Sequence, residues 1–140
     1  MIVIPFDVGH LLLLDPHDEQ RAEYEFTLPR ASGLAQSPWR YTGIVDNRAV
    51  ACGGVQIIRE NTGLAWMCFA KGSGKYMKEI TNATRETLDA CPLPRIETLV
   101  KTSFKAGHRW MKRLGFELEA PAMRKYGPNG ETYSLYARIK

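Results

Sequence analysis

Cysteine is scarce in this chain. The three present, Cys52, Cys68 and Cys91, are odd in number and widely spaced. None has the spacing of a metal-ligand pair, so no metal is expected, and reduced, buried thiols of a cytoplasmic protein are. Long hydrophobic runs are missing too. A membrane-spanning helix needs ~20 apolar residues in succession, whereas Leu11–Leu14 is only a short run; no span is expected. The first residues lack a basic region, a long apolar stretch and a small-residue cleavage site, so no secretory leader is expected. Repeats, low-complexity tracts and linker-like segments are also absent. What remains is a chain of 140 residues, 44% hydrophobic and 24% charged, which reads as one globular domain with a substantial core.

An acidic excess is absent as well. The net charge of +4 is unevenly distributed: residues 1–100 carry a net −2 and residues 101–140 a net +6. A basic C-terminal region attracts the phosphates of a cosubstrate or of nucleic acid. No nucleic-acid-binding motif accompanies the charge, so solvated helix faces and charged strand edges account for most of it, and nucleic acid is not the expected partner.

The N-terminal half alternates short helical and strand-like segments. Ile2–Ile4 is an apolar run stopped by Pro5 and reads as a strand. His10–His17 reads as a short helix with Leu11–Leu14 on its buried side, and Asp18 as the cap of a second helix reaching Leu28. Residues 29–38 hold Ser, Gly and two prolines and read as a loop. Trp39–Val45 and Ala49–Ile58 are β-rich, with Asp46-Asn47-Arg48 as the turn between them. Gly53-Gly54 signals a bulge or a close backbone approach. Leu64–Ala70 is apolar on both faces, as expected of a central strand.

The C-terminal half is more regular. Lys71-Gly72-Ser73-Gly74-Lys75 leads into a helix ending near Ala90, with Met77, Ile80, Thr84, Leu88 and Cys91 on one stripe. Ile96–Val100 reads as a strand. Phe104–Leu114 reads as a helix burying Gly107, Trp110, Met111 and Leu114, with Gly115 as its stop. Phe116–Tyr126 and Glu131–Ile139 form a closing hairpin around Gly127–Gly130, with Tyr133, Leu135, Ala137 and Ile139 on one face of the last strand. The order β-α-α-β-β-β-α-β-α-β-β predicts an α/β (α+β) domain. It should hold a mixed, twisted sheet of six or seven strands, helices on both faces, and Leu64–Ala70 parallel to Ile96–Val100.

This order, with the run Ala106–Phe116 and the closing strands, resembles the GNAT (Gcn5-related N-acetyltransferase) family over nearly the whole chain. The short IVIP start, HLLLLDPHD, AWM in the fourth strand and GF…RKYGPNGETYSLYARI are most similar to small GNAT-like proteins of tailed phages. Some relatives of that set are internal virion proteins. The resemblance implies an acyl-CoA-dependent N-acyltransferase that uses acetyl-CoA on an amine. It also implies an alternative, a non-catalytic virion or assembly protein retaining the fold. Acyl-CoA in the family lies between the fourth and fifth strands. Carried onto this sequence, the pantetheine arm runs along Met67, Cys68, Phe69 and Ala70, and the pyrophosphate sits on the backbone amides of Gly72, Ser73, Gly74 and Lys75. A helix N-terminus favours anions there. The family's phosphate loop is longer than Lys71–Lys75 and differs in register.

The family's later motif places a tyrosine acid four or five residues before a Gly-Phe pair. Anchored on Gly115-Phe116, that position is Met111, with Gly107 where the family has alanine. A thioether cannot protonate a departing thiolate. His108, three residues earlier on nearly the same helix face, is the candidate substitute, with a surface or capping role as the alternative. Glu97 on the fifth strand and Glu60 in the turn before the fourth are candidate general bases. His10 and His17 are expected to be structural. A homodimer and phage structural proteins are the partners the resemblance allows.

Overall fold

The computed structural model describes all of residues 1–140. The strands are β1 Ile2–Ile4, β2 Arg40–Val45, β3 Arg48–Arg59, β4 Thr62–Phe69, β5 Arg95–Lys101, β6 Glu117–Met123 and β7 Tyr133–Ile139. They form one mixed sheet in the order β1-β2-β3-β4-β5-β7-β6, so β4 is central as its two apolar faces predicted. β4 and β5 are parallel, with Thr62 opposite Arg95 and Leu64 opposite Glu97. The crossover between them is α4, Met77–Ala90, which buries Ile80, Thr84 and Leu88 from the expected stripe. The residues divide into two compact units, Met1–Gln56 with Trp66–Pro92 and Ile57–Ala65 with Leu93–Lys140.

In the first unit, α1 spans Val8–Leu12, earlier and shorter than the sequence predicted. Asp7 is the reason. Its carboxylate accepts from Gly9 N–H while its own N–H donates to His10 Nδ1, a reciprocal cap that starts the helix there. Leu11 and Leu14 are buried, but Leu12 and Leu13 face solvent, which corrects the expectation that all four leucines form the buried side. A 3-10 turn at Asp18–Gln20 leads into α2, Arg21–Thr27. His17, not Asp18, caps that turn by accepting from Glu19 N–H. The expected loop at 29–38 in fact begins with a 3-10 turn at Leu28–Arg30 and α3, Ala31–Leu34. Pro29 near the start of the turn is compatible with it, because a first-turn N–H has no partner to lose.

Adjacent residues of β2 show how the helices are distributed. Tyr41 Oη meets Thr84 Oγ1 of α4 at 2.6 Å, while Thr42 Oγ1 meets His10 Nδ1 of α1 at 2.9 Å. Neighbouring side chains on a strand point to opposite faces, so helices cover both faces. Asp46 and Asn47 adopt positive φ in the β2–β3 turn, the conformation that matches strand twist in a two-residue hairpin. A side chain at Gly54 would meet Trp39 O and the Arg40 backbone, so the expected close approach is present there; the irregularity in register lies instead opposite Gly43/Ile44, where Val50 of β3 is the extra residue. Phe6, Leu11, Leu14, Ala31, Leu34, Ala49, Cys52, Cys68 and Ala70 form the core of this unit.

In the second unit, α5 spans Lys105–Arg113 and stops at Gly115, whose φ is +87°. A Cβ at Gly107 would lie 2.9 Å from both Val100 Cγ1 and Phe104 Cδ2, so glycine lets α5 close on β5. β6 is an edge strand, and it tolerates Pro121 for that reason. β7 buries Tyr133, Ser134, Tyr136 and Ala137, so Tyr136 is a core residue that the simple alternation missed.

Candidate active site

β4 ends at Phe69, and the chain turns through Lys71-Gly72 into α4. Gly72 has φ +77°, a left-handed conformation that strains any residue with a side chain. Ser73–Tyr76 then forms a 3-10 turn that continues into α4, and no side chain caps either start. Nothing lies within 4 Å of a Cβ built on Gly72 or Gly74. The turn is therefore open at Gly72 and Gly74, while Ser73 is buried and its N–H donates to Ala70 O at 3.2 Å; the start of the helix carries the positive end of its dipole. Lys75 is exposed and lies over the Tyr76 ring; Lys71 pairs with Asp18 at 3.4 Å. Such a turn can hold a phosphate on backbone amides.

Upstream, Met67, Cys68, Phe69 and Ala70 are placed by packing. Met67 lies over Gly53, where a Cβ would come 2.8 Å from its sulfur. Cys68 sits in the core, and burial pushes its thiol up to about 12; burial likewise raises Cys52, to about 11. Both thiols are therefore inert packing groups at neutral pH. The backbone of this stretch is engaged. Phe69 N–H donates to Gln20 Oε1 (2.8 Å), Gln20 Nε2 donates to Met67 O (2.9 Å), and His17 N–H donates to Phe69 O (2.8 Å). Gln20 is buried and was not singled out from the sequence. Nothing in its pattern distinguishes it from the polar residues of an ordinary helix start.

The second unit holds the titratable candidates. Glu97 is 15% exposed at its side chain and lies 2.8 Å from Arg95 Nε and 3.8 Å from Arg59. Its carboxylate is thus engaged by two guanidiniums as an ion-pair partner. Arg95 also forms a two-point contact with Glu119, whose hydrogen bonds hold the Glu119 carboxyl below its ordinary value. A lowered folded-state pKa gives stability that is present above the unfolded value and lost as pH falls through the folded one. Acid unfolding is thus expected to be eased by Glu119→Gln above about pH 4, with the difference between variant and wild type vanishing at lower pH; equal midpoints at every pH would contradict the pairing.

His108 uses both ring nitrogens. Nε2 lies 3.1 Å from Lys101 O and from Thr102 O, and Nδ1 lies 2.7 Å from Tyr136 Oη. Carbonyls only accept, so Nε2 carries a proton, and in the neutral ring Nδ1 accepts from the Tyr136 hydroxyl. Burial raises the Tyr136 pKa, which keeps that donor protonated. The imidazole ties α5 to the end of β5 and to β7. Met111 is 7% exposed and belongs to the buried face of α5. Glu60 lies in the exposed turn before β4. His10 and His17 both serve in caps, as expected of structural histidines.

No protein-family model matches this sequence, and no curated protein sequence matches it. Solved structures match its fold. A putative phosphinothricin N-acetyltransferase aligns with TM-score 0.73 and 11% identity over 99% of this chain and 97% of that one. The ribosomal-protein-alanine N-acetyltransferase of Brucella melitensis gives 0.71 and 11% over the whole of both chains. A GNAT-family acetyltransferase of Bacillus anthracis gives 0.67 and 14% over 98% and 93%. The chain has the GNAT fold. At such identities the likeness carries the fold alone. Within it, the open Gly72–Lys75 turn fits the pyrophosphate that the sequence resemblance puts there. The Met67–Phe69 backbone fits a pantetheine arm only when Gln20 is elsewhere, because its hydrogen-bonding groups are already paired.

Proposed function

We propose that this protein is an acyl-CoA-dependent N-acyltransferase with acetyl-CoA as cosubstrate and an amine as acceptor. The observation that carries the reading is the turn Gly72–Lys75 between the central strand and α4, which has no side-chain cap and is open at Gly72 and Gly74. In the reaction the amine nitrogen attacks the thioester carbonyl and the C–S bond breaks. The nitrogen loses one proton to a base, and the thiolate takes one up. Backbone N–H groups on β4 suit the polarisation of the carbonyl. No helix is long and apolar enough to cross a membrane.

Titration calorimetry with acetyl-CoA tests this directly. Gly74→Val is expected to weaken binding roughly 10–100-fold, by blocking backbone approach to the pyrophosphate. The thermal midpoint should hold, because a Cβ at this position has no neighbour within 4 Å. Unchanged affinity would remove the pyrophosphate from this turn. A second reading, a non-catalytic phage virion or assembly protein retaining the fold, is favoured by the buried Met111 and by the pairing of Gln20 with β4. Absence of acetyl-CoA binding both to the wild type and to variants in which Gln20 no longer pairs with β4 would select it, with a homodimer or phage structural proteins as the partners to seek.

A further inference from the structure

A strand edge with free N–H and C=O groups binds any extended chain that can pair with it. The two edges of β4 are distinguished by alternation. Ala70 N–H reaches Val50 O of β3 at 3.0 Å, so Met67, Phe69 and Lys71 turn their backbone groups to the other, outer edge. One short segment of the same chain covers that edge. Asp15 O accepts from Lys71 N–H at 2.9 Å, and His17 N–H donates to Phe69 O at 2.8 Å, an isolated antiparallel bridge centred on Pro16 and Ala70. Gln20 continues the pairing with its side chain. Its Oε1 accepts from Phe69 N–H, and its Nε2 donates to Met67 O.

The carboxamide thus presents one acceptor and one donor to β4, the same pair that a secondary amide in an extended ligand presents. Gln20 is 7% exposed, so the pairing is shielded from water. Two ion pairs of the segment are weak. Asp15–Arg21 at 3.9 Å and Asp18–Lys71 at 3.4 Å join side chains that are about half or more exposed. Gln20 is also the residue before α2, yet its side chain makes no capping bond there. Rotating it away frees Met67 O and Phe69 N–H without unwinding α2.

We propose that Gln20 is an affinity-setting residue: its carboxamide is an internal occupant of the outer edge of β4, and an amide of the acyl-CoA arm binds by displacing it. The inference rests on the acyl-CoA reading above. Binding then includes the loss of two protein hydrogen bonds before two ligand bonds form. Wild-type affinity is lowered by the population of the closed state.

The test is acetyl-CoA titration calorimetry on wild type, Gln20→Met and Gln20→Glu, with hydrogen exchange read at the Phe69 amide. Gln20→Met keeps the length of the side chain and loses both hydrogen bonds. Gln20→Glu keeps a polar side chain at the position, in case the methionine variant folds poorly, and sets an ionised carboxylate against Met67 O at pH 7. Each folded variant is expected to bind acetyl-CoA roughly tenfold tighter than wild type and to exchange the Phe69 amide faster. Binding seen only in the variants is the same result in stronger form. If wild type binds and the folded variants bind no tighter, displacement of Gln20 is overturned while the acyl-CoA reading stands. If no form binds, both fall.

Discussion

Phe6→Ala is expected to lower the unfolding free energy by about 3–5 kcal/mol, a large share of the total for a domain of this size. Phe6 is 1% exposed, the first large side chain after β1, and central to the core of its unit. Its ring stands edge-on to Trp66 of β4, with centroids 4.9 Å apart. Trp66 Nε1 is buried without a hydrogen-bond partner, so packing alone orients the indole. Removing Phe6 leaves a cavity beside that indole and loosens the strand that carries Met67 and Phe69. Urea unfolding of the variant checks the magnitude. A loss below about 1 kcal/mol would mean that the cavity collapses and that Phe6 is not the keystone of this cluster.

The order of elements from β4 to β5 and the parallel pair were legible from sequence because each rests on a signal longer than a turn; the insertion of β7 between β5 and β6 was not. Leu64–Ala70 is apolar on both faces, Met77–Cys91 keeps a helical stripe, and Ile96–Val100 follows at once; a strand, a crossover and a strand leave one common topology. The closing hairpin was legible through Gly115 and Gly127–Gly130. Short helices were not. Val8–Leu12 and Ala31–Leu34 are too brief to show a period, and the former is placed by a cap at Asp7 that depends on a histidine three residues on. Tyr136 was missed because β7 buries both faces along part of its length, which removes the alternation that sequence reading relies on.

The candidate site divides the same way. Gly72 and Gly74 are readable because glycine marks backbone that must turn or be approached. Gln20 is not, because its role depends on a contact made across nearly fifty residues of chain. Glu97 is a strand carboxylate by sequence and an ion-paired one in the fold; only the structure supplies Arg95 and Arg59 as neighbours. His108 shares a helix face with Met111 by sequence, but its two ring nitrogens are committed to partners on two other segments, the end of β5 and β7.

Acetyl transfer is expected to be slower than in tyrosine-bearing relatives by ~10²–10⁴-fold, the usual contribution of general acid catalysis, because Met111 has no proton to give. Met111→Tyr is expected to recover part of that rate by supplying a hydroxyl acid for the departing thiolate. The larger side chain enters a packed face of α5 and costs about 1–3 kcal/mol, so rates must be compared per folded molecule. His108→Ala separates structure from chemistry. With Nε2 on two carbonyls and Nδ1 on the Tyr136 hydroxyl, its expected effect is on stability. It should lose about 1–3 kcal/mol, because the buried Tyr136 hydroxyl is left without its partner. The pH–rate profile per folded molecule should keep its shape. A histidine-like inflection near pH ~6.5 that vanishes in His108→Ala at an unchanged thermal midpoint would instead put the imidazole in proton transfer. If neither substitution alters a measurable wild-type rate, the face of α5 that carries Met111 and His108 takes no part in the chemistry.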